Sequence, residues 1–124
     1  MEISTNEIQK GITVLEPCQS ISGNGKAQGE IEMDIENQTV FIQSIEKLLS
    51  ENKNKVIVNM QNITYIDSSG LWALFEGHKK TEQKNGKFFL LNPHPDVKRV
   101  LDITKMSKKI DIFNEEKKAV ESFK

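Results

Sequence analysis

The residues best placed to do chemistry are Asp67, Ser68, Ser69 and Gly70, which follow the run Ile63-Thr64-Tyr65-Ile66 and precede a helical pattern beginning at Leu71. The order reads as a buried strand that turns at these four residues into a helix start. Asp and Ser favour N-cap positions because their side-chain oxygens accept from the unpaired N–H groups of a first turn. A serine hydroxyl there lies at the positive end of the helix dipole, where an added phosphate meets a tolerant field and free backbone donors. The spacing alone specifies a cap; phosphoryl acceptance is a further step.

Other groups that could react are poorly arranged for it. A nucleophilic pairing of Ser68 with histidine lacks the Gly-x-Ser-x-Gly elbow, and nothing assigns an orienting acid or an oxyanion site. His78 falls on the apolar side of the helix and reads as a packed or boundary histidine, while His94 in Asn92-Pro93-His94-Pro95 reads as a surface residue. Gly23-Asn24-Gly25-Lys26 superficially suggests a phosphate loop. It fails on spacing, because its first glycine would fall at Ser20 and Ala27 stands where Ser or Thr must bind magnesium. Cys18 is the only cysteine, which excludes an internal disulfide and a Cys-based zinc site and leaves an inert thiol. No metal site is read, no catalytic residue is assigned, and the chain is not expected to be an enzyme.

At 124 residues the chain reads as one domain spanning 1–124, with residues 1–10 loosely held. Seventeen basic and 18 acidic residues give a net charge of −1, which offers no support to a nucleic-acid or membrane-surface role. The N-terminus is polar and mixed in charge, unlike a signal peptide, and no apolar run approaches the roughly 20 residues of a membrane helix. A soluble cytoplasmic protein is the expectation.

Alternating elements position the candidate site. Residues 11–16 read as a strand ending at Pro17, 20–28 as a loop or wide hairpin, and 29–33 as a half-buried strand. From residue 37 or 38 to residue 50 the chain then carries a helical stripe of Phe41, Ile45, Leu48 and Leu49. Val56-Ile57-Val58 is a buried strand. In the helix after Ser69, Leu71, Leu74, Phe75 and His78 should face the core, with Trp72, Glu76, Lys79 and Gln83 opposite. That helix should end at Asn85-Gly86, with the glycine in the left-handed cap. Residues 88–91 form a strand and Pro95 opens a helix through Val97, Val100 and Leu101 to about Met106. Ile112 and Phe113 mark a short strand, and residues 114–116 cap a last helix through Ala119, Val120 and Phe123. Strands alternating with helices make this an α/β chain.

Asp67-Ser68-Ser69-Gly70-Leu71, preceded by an apolar strand, resembles the switch motif of the anti-sigma factor antagonists, whose fold is the STAS domain. Residues 55–60, 91–101 and 114–123 are similar to that family's strand before the motif, its third-helix start and its closing helix. Trp72 stands where a glycine is common, Asn59 where aspartate is, and Lys105 replaces a frequent glycine. The resemblance implies a small mixed sheet of about four to five strands covered by about four helices. It also implies that Ser68 is phosphorylated by a partner kinase, with Ser69 its neighbour.

On that likeness, the unmodified chain binds an anti-sigma factor that is itself a serine kinase and so frees a sigma factor. Phosphorylation at Ser68 ends the complex and a PP2C-type phosphatase restores it. ATP and magnesium belong to the kinase, so no cofactor is assigned. Trp72 and Glu76, on the side of Ser68, are the candidate partner contacts. The alternatives are a STAS partner-switching or scaffold module in a non-sigma pathway, and a small nucleotide- or lipid-binding STAS module. A monomer is expected, with a dimer as the alternative.

Overall fold

The computed structural model of the chain describes residues 1–123. Along the sequence the strands are β1 (Glu2–Glu7), β2 (Ile12–Cys18), β3 (Ser20–Ile21), β4 (Ala27–Gln28), β5 (Ile31–Met33), β6 (Lys55–Asn59), β7 (Ile63–Ile66), β8 (Lys87–Leu91) and β9 (Ile112–Phe113). The helices are α1 (Gln38–Ser50), α2 (Ser68–Gln83), α3 (Pro95–Ile103) and α4 (Glu116–Glu121). Five strands make the main sheet in the order β1-β2-β6-β8-β9. β1 runs antiparallel to β2 and every other pairing in that sheet is parallel, so it is the small mixed sheet with four helices that the sequence implies. Two short ribbons stand apart from it: the antiparallel β3–β4 hairpin and the parallel pair β5–β7.

Successive residues of a strand face opposite sides, and here both sides are covered. Val56, Val58, Phe88 and Leu90 join the larger core with Phe41, Ile45 and Leu48 of α1, Leu74 of α2, and Val97 and Leu101 of α3. Ile57, Phe89 and Leu91 face the other way and pack with Ala119 and Val120 of α4. Double coverage explains why β6 and β8 read as unbroken apolar runs.

Four expectations are corrected. The N-terminus is not loose: β1 pairs through its whole length with β2, from Glu2 opposite Cys18 to Glu7 opposite Thr13. Backbone pairing, not apolar patterning, holds this edge strand, which is why a sequence with Ile3 as its only large apolar side chain gave no signal. β2 continues through Pro17, past the four residues that pair with β6. The run 63–66 is not buried throughout, because β7 lies outside the main sheet and leaves Tyr65 exposed. At the end of α2 the left-handed residue is Asn85, at φ 60°. Gly86 follows it, donating to the Thr81 carbonyl at 2.9 Å, and a Cβ there would lie 2.1 Å from the Asn54 carbonyl oxygen.

Thr13 faces the α1 side of β2 beside Leu15, is 2% exposed, and its hydroxyl has no hydrogen-bond partner among the described residues. Valine has the same shape without the stranded hydroxyl. Thr13→Val is expected to raise stability by about 1 kcal/mol, read as a melting temperature about 4 °C higher. An unchanged or lower midpoint would show that the hydroxyl is satisfied.

Candidate functional site

The junction of β7 and α2 is built by Asp67. Its backbone is extended (φ −110°, ψ −170°) and its Oδ1 accepts from the N–H of Ser69 at 2.9 Å and of Gly70 at 3.1 Å. The Asp67 carbonyl accepts the Leu71 N–H at 2.9 Å, so one residue both ends the strand and starts the helix. This is the cap that the residue order specifies. It also changes the electrostatics expected for a phosphate, because the carboxylate already takes two of the first-turn donors.

Ser68 is the first residue of α2 and its side chain is exposed, whereas Ser69 is partly buried. Behind them, the Asp67 N–H donates to the Met33 carbonyl at 3.3 Å. Gly70 sits so close to the same carbonyl that an added Cβ would be 2.2 Å from its oxygen. Gly70 is therefore required by the approach of α2 to the end of β5. The sequence carried no signal for Met33 as the backstop, since the contact is through its backbone.

The core face of α2 differs from the spacing expected. Its buried residues are Gly70, Ala73, Leu74, Gly77 and Thr81, while Leu71, Phe75 and His78 are only partly buried. Small side chains let the helix lie close to the sheet and α1; a Cβ on Gly77 would meet ring carbons of Phe88 and Phe41 at 3.1 and 3.2 Å. The helix is rotated toward the residues that fit, and hydropathy does not report fit. Trp72 stays 49% exposed, with Glu76 partly exposed one turn on. Residues four apart share a helix side, which sets Trp72 on the side of Ser68.

His78 is a boundary residue, its ring edge-on to Phe88 at 6.1 Å and its Nε2 3.7 Å from a Glu82 oxygen. His94 is partly buried and its Nε2–H donates to the Gln61 carbonyl at 2.7 Å, far from any pairing with Ser68. Cys18 is fully buried, and that burial pushes its thiol pKa up, which keeps it protonated and unreactive. Among the described residues no group of three or more His, Cys, Asp or Glu is placed to hold a metal ion, and no helix is long and apolar enough to cross a membrane. An open groove of about 450 Å³, lined by His78, Glu82, Lys87, Lys109 and Asp111 among others, does not include Ser68.

The arrangement offers one accessible hydroxyl held rigidly at a helix start. Among the described residues neither histidine pairs with it: His94 Nε2 bonds the Gln61 carbonyl and His78 Nε2 lies beside Glu82. Known proteins share this sequence and fold in part. A Thermotoga neapolitana protein provisionally named an anti-sigma factor antagonist is 29% identical over 91 residues, 73% of this chain and 80% of that one. A crystal structure from Thermotoga maritima with the same provisional name superposes with a TM-score of 0.77 at 23% identity, covering 94% of this chain and 91% of that one. SpoIIAA, a Bacillus cell fate determinant, in its phosphorylated form superposes with a TM-score of 0.67 at 16% identity, covering 99% of this chain and all of that one. These two structures share the fold. The family model described as the STAS domain matches residues 27–119, and the chain belongs to the STAS domain family.

Proposed function

We propose that this chain is a non-enzymatic phospho-switch of the anti-sigma factor antagonist kind, acting in the cytoplasm. Unmodified, it binds an anti-sigma factor that is a serine kinase and thereby frees a sigma factor. The kinase transfers the γ-phosphate of its own ATP to Ser68, the complex weakens, and a PP2C-type phosphatase restores the serine. The observation that carries this reading is the exposed Ser68 hydroxyl at the first position of α2, between the Asp67 cap and the Gly70 contact. The names of the relatives support it, among them a phosphorylated SpoIIAA.

A phosphate adds about −1.5 to −2 charges at pH 7. At Ser68 that charge stands beside the Asp67 carboxylate, on the outside of the domain, so it alters the surface and leaves the core intact. Incubation with the cognate kinase and ATP, followed by mass spectrometry, is expected to place the phosphate on Ser68 and not on Ser69. Ser68→Ala should bind the kinase and never be released. Ser68→Asp is smaller than phosphoserine and carries about one charge against nearly two, so with less bulk and less hydration to lose its binding should weaken without vanishing. Melting temperatures of the three forms should lie close together. Phosphate recovered only on Ser69, or persisting in Ser68→Ala, would sink the assignment.

A further inference from the structure

Charge is distributed unevenly along the two stretches next to Ser68, although Lys109 from a third stretch lies over the Phe75 ring at 5.2 Å. Positions 29–40 and 63–77 hold six carboxylates, on Glu30, Glu32, Asp34, Glu36, Asp67 and Glu76, and no lysine, arginine or histidine. The whole chain has 17 basic and 18 acidic residues, so the rest of the molecule carries a basic excess. The two stretches are adjacent in space. β5 pairs with β7, placing Glu32 opposite Tyr65, and the Met33 carbonyl meets both the Asp67 N–H and Gly70. Glu30, Glu32 and Glu36 are exposed and the other three partly so. None of the ion pairs among the described residues uses any of the six. Within the same stretches four large apolar side chains are exposed: Ile35 at 67%, Tyr65 at 51%, Trp72 at 49% and Val40 at 38%.

Exposed apolar side chains gathered in one region and rimmed by charge mark an interaction surface. Unpaired charge of a single sign on that rim selects a partner of the opposite sign. We propose that the partner of this face presents lysine and arginine side chains around an apolar centre, meeting the six carboxylates by charge complementarity. This rests on the partner-switch reading and adds to it the chemistry of the partner's surface.

A basic rim has a consequence for release. Long-range attraction favours a phosphate on Ser68, so phosphorylation must end the complex through the bulk of the phosphate and the loss of its hydration beside Asp67. The weakening by Ser68→Asp therefore persists at high salt, whereas the speed of encounter falls with salt.

Two measurements test the proposal, with Glu32→Lys/Glu36→Lys as the altered face and Glu116→Lys/Glu121→Lys on α4 as the control of equal charge change. In the first, the isotope-labelled wild type is titrated with a ten-lysine peptide and amide shifts are mapped. The shifts should gather at positions 29–40 and 63–77 and be lost only in the altered face. Shifts spread evenly over all carboxylates, or absent, would overturn the proposal. In the second, association with the cognate anti-sigma factor at low salt should slow about tenfold or more for the altered face and stay unchanged for the control. Equal rates in the two variants would overturn it as well. Should no anti-sigma factor bind even the wild type, the partner-switch reading falls, and the peptide titration still decides whether this face selects a basic surface.

Discussion

Gly70→Ala is expected to destabilise the domain by about 2 kcal/mol or more, lowering its melting temperature by about 6 °C or more. Helix propensity argues the other way, since alanine in place of glycine inside a helix gains up to about 1 kcal/mol. The contact decides the sign. A Cβ at Gly70 would lie 2.2 Å from the Met33 carbonyl oxygen and 2.7 Å from Cγ1 of Ile66. The first of these is backbone that also accepts the Asp67 N–H, so it cannot move without disturbing the cap. Gly77→Ala is the internal comparison. Its Cβ would meet ring carbons of Phe88 and Phe41 at 3.1 to 3.3 Å, and ring edges can shift by a few tenths of an ångström. Gly77→Ala should therefore fall well short of Gly70→Ala in a thermal melt. A Gly70→Ala protein that melts with the wild type would show that α2 does not press on β5, and the account of how Ser68 is positioned would go with it.

That contact also marks how far the sequence could be read. A cap and helix start within Asp67 to Gly70 follow from side-chain chemistry within five residues, and the structure makes Asp67 the cap and Ser68 the first helical residue. The same holds for α1, whose stripe of Phe41, Ile45, Leu48 and Leu49 is buried, and for β6 and β8, apolar on both faces. What escaped the sequence is carried by backbone and by size. β1 is held by a ladder to β2 that needs no particular side chain. The core side of α2 was set by where glycine and alanine let the helix approach, so the spacing of Leu71, Phe75 and His78 pointed to the wrong stripe. Gly86 was expected in the left-handed cap, but Asn85 adopts that conformation and Gly86 is there for its closeness to Asn54. The acidic face around Ser68 lies in two stretches far apart in sequence, and only the β5–β7 pairing brings them together.

Trp72→Ala is expected to weaken binding to the anti-sigma factor by about 2 kcal/mol or more, about 30-fold in Kd, with little loss of fold stability. Trp72 lies one turn beyond Ser68 on the same side of α2 and is 49% exposed, while the core side of the helix is filled by Ala73, Leu74, Gly77 and Thr81. The indole thus offers a large apolar surface beside Ser68 without holding the sheet to the helices. Tryptophan is enriched among the few residues that dominate binding energy, because one rigid side chain can fill a partner's pocket. Fluorescence gives a second readout, since Trp72 is the only tryptophan. With a tryptophan-free variant of the kinase, emission should move to the blue as the unphosphorylated complex forms and return once Ser68 is phosphorylated. Tyr65 and Ile35, exposed in the same region, should contribute less each, as neighbours that keep water from the anchor. Emission already blue in the free protein, or a Trp72→Ala protein that unfolds while its folded fraction keeps full affinity, would make Trp72 a packing residue. The anchor would then have to be sought among Tyr65, Ile35 and the carboxylates around them.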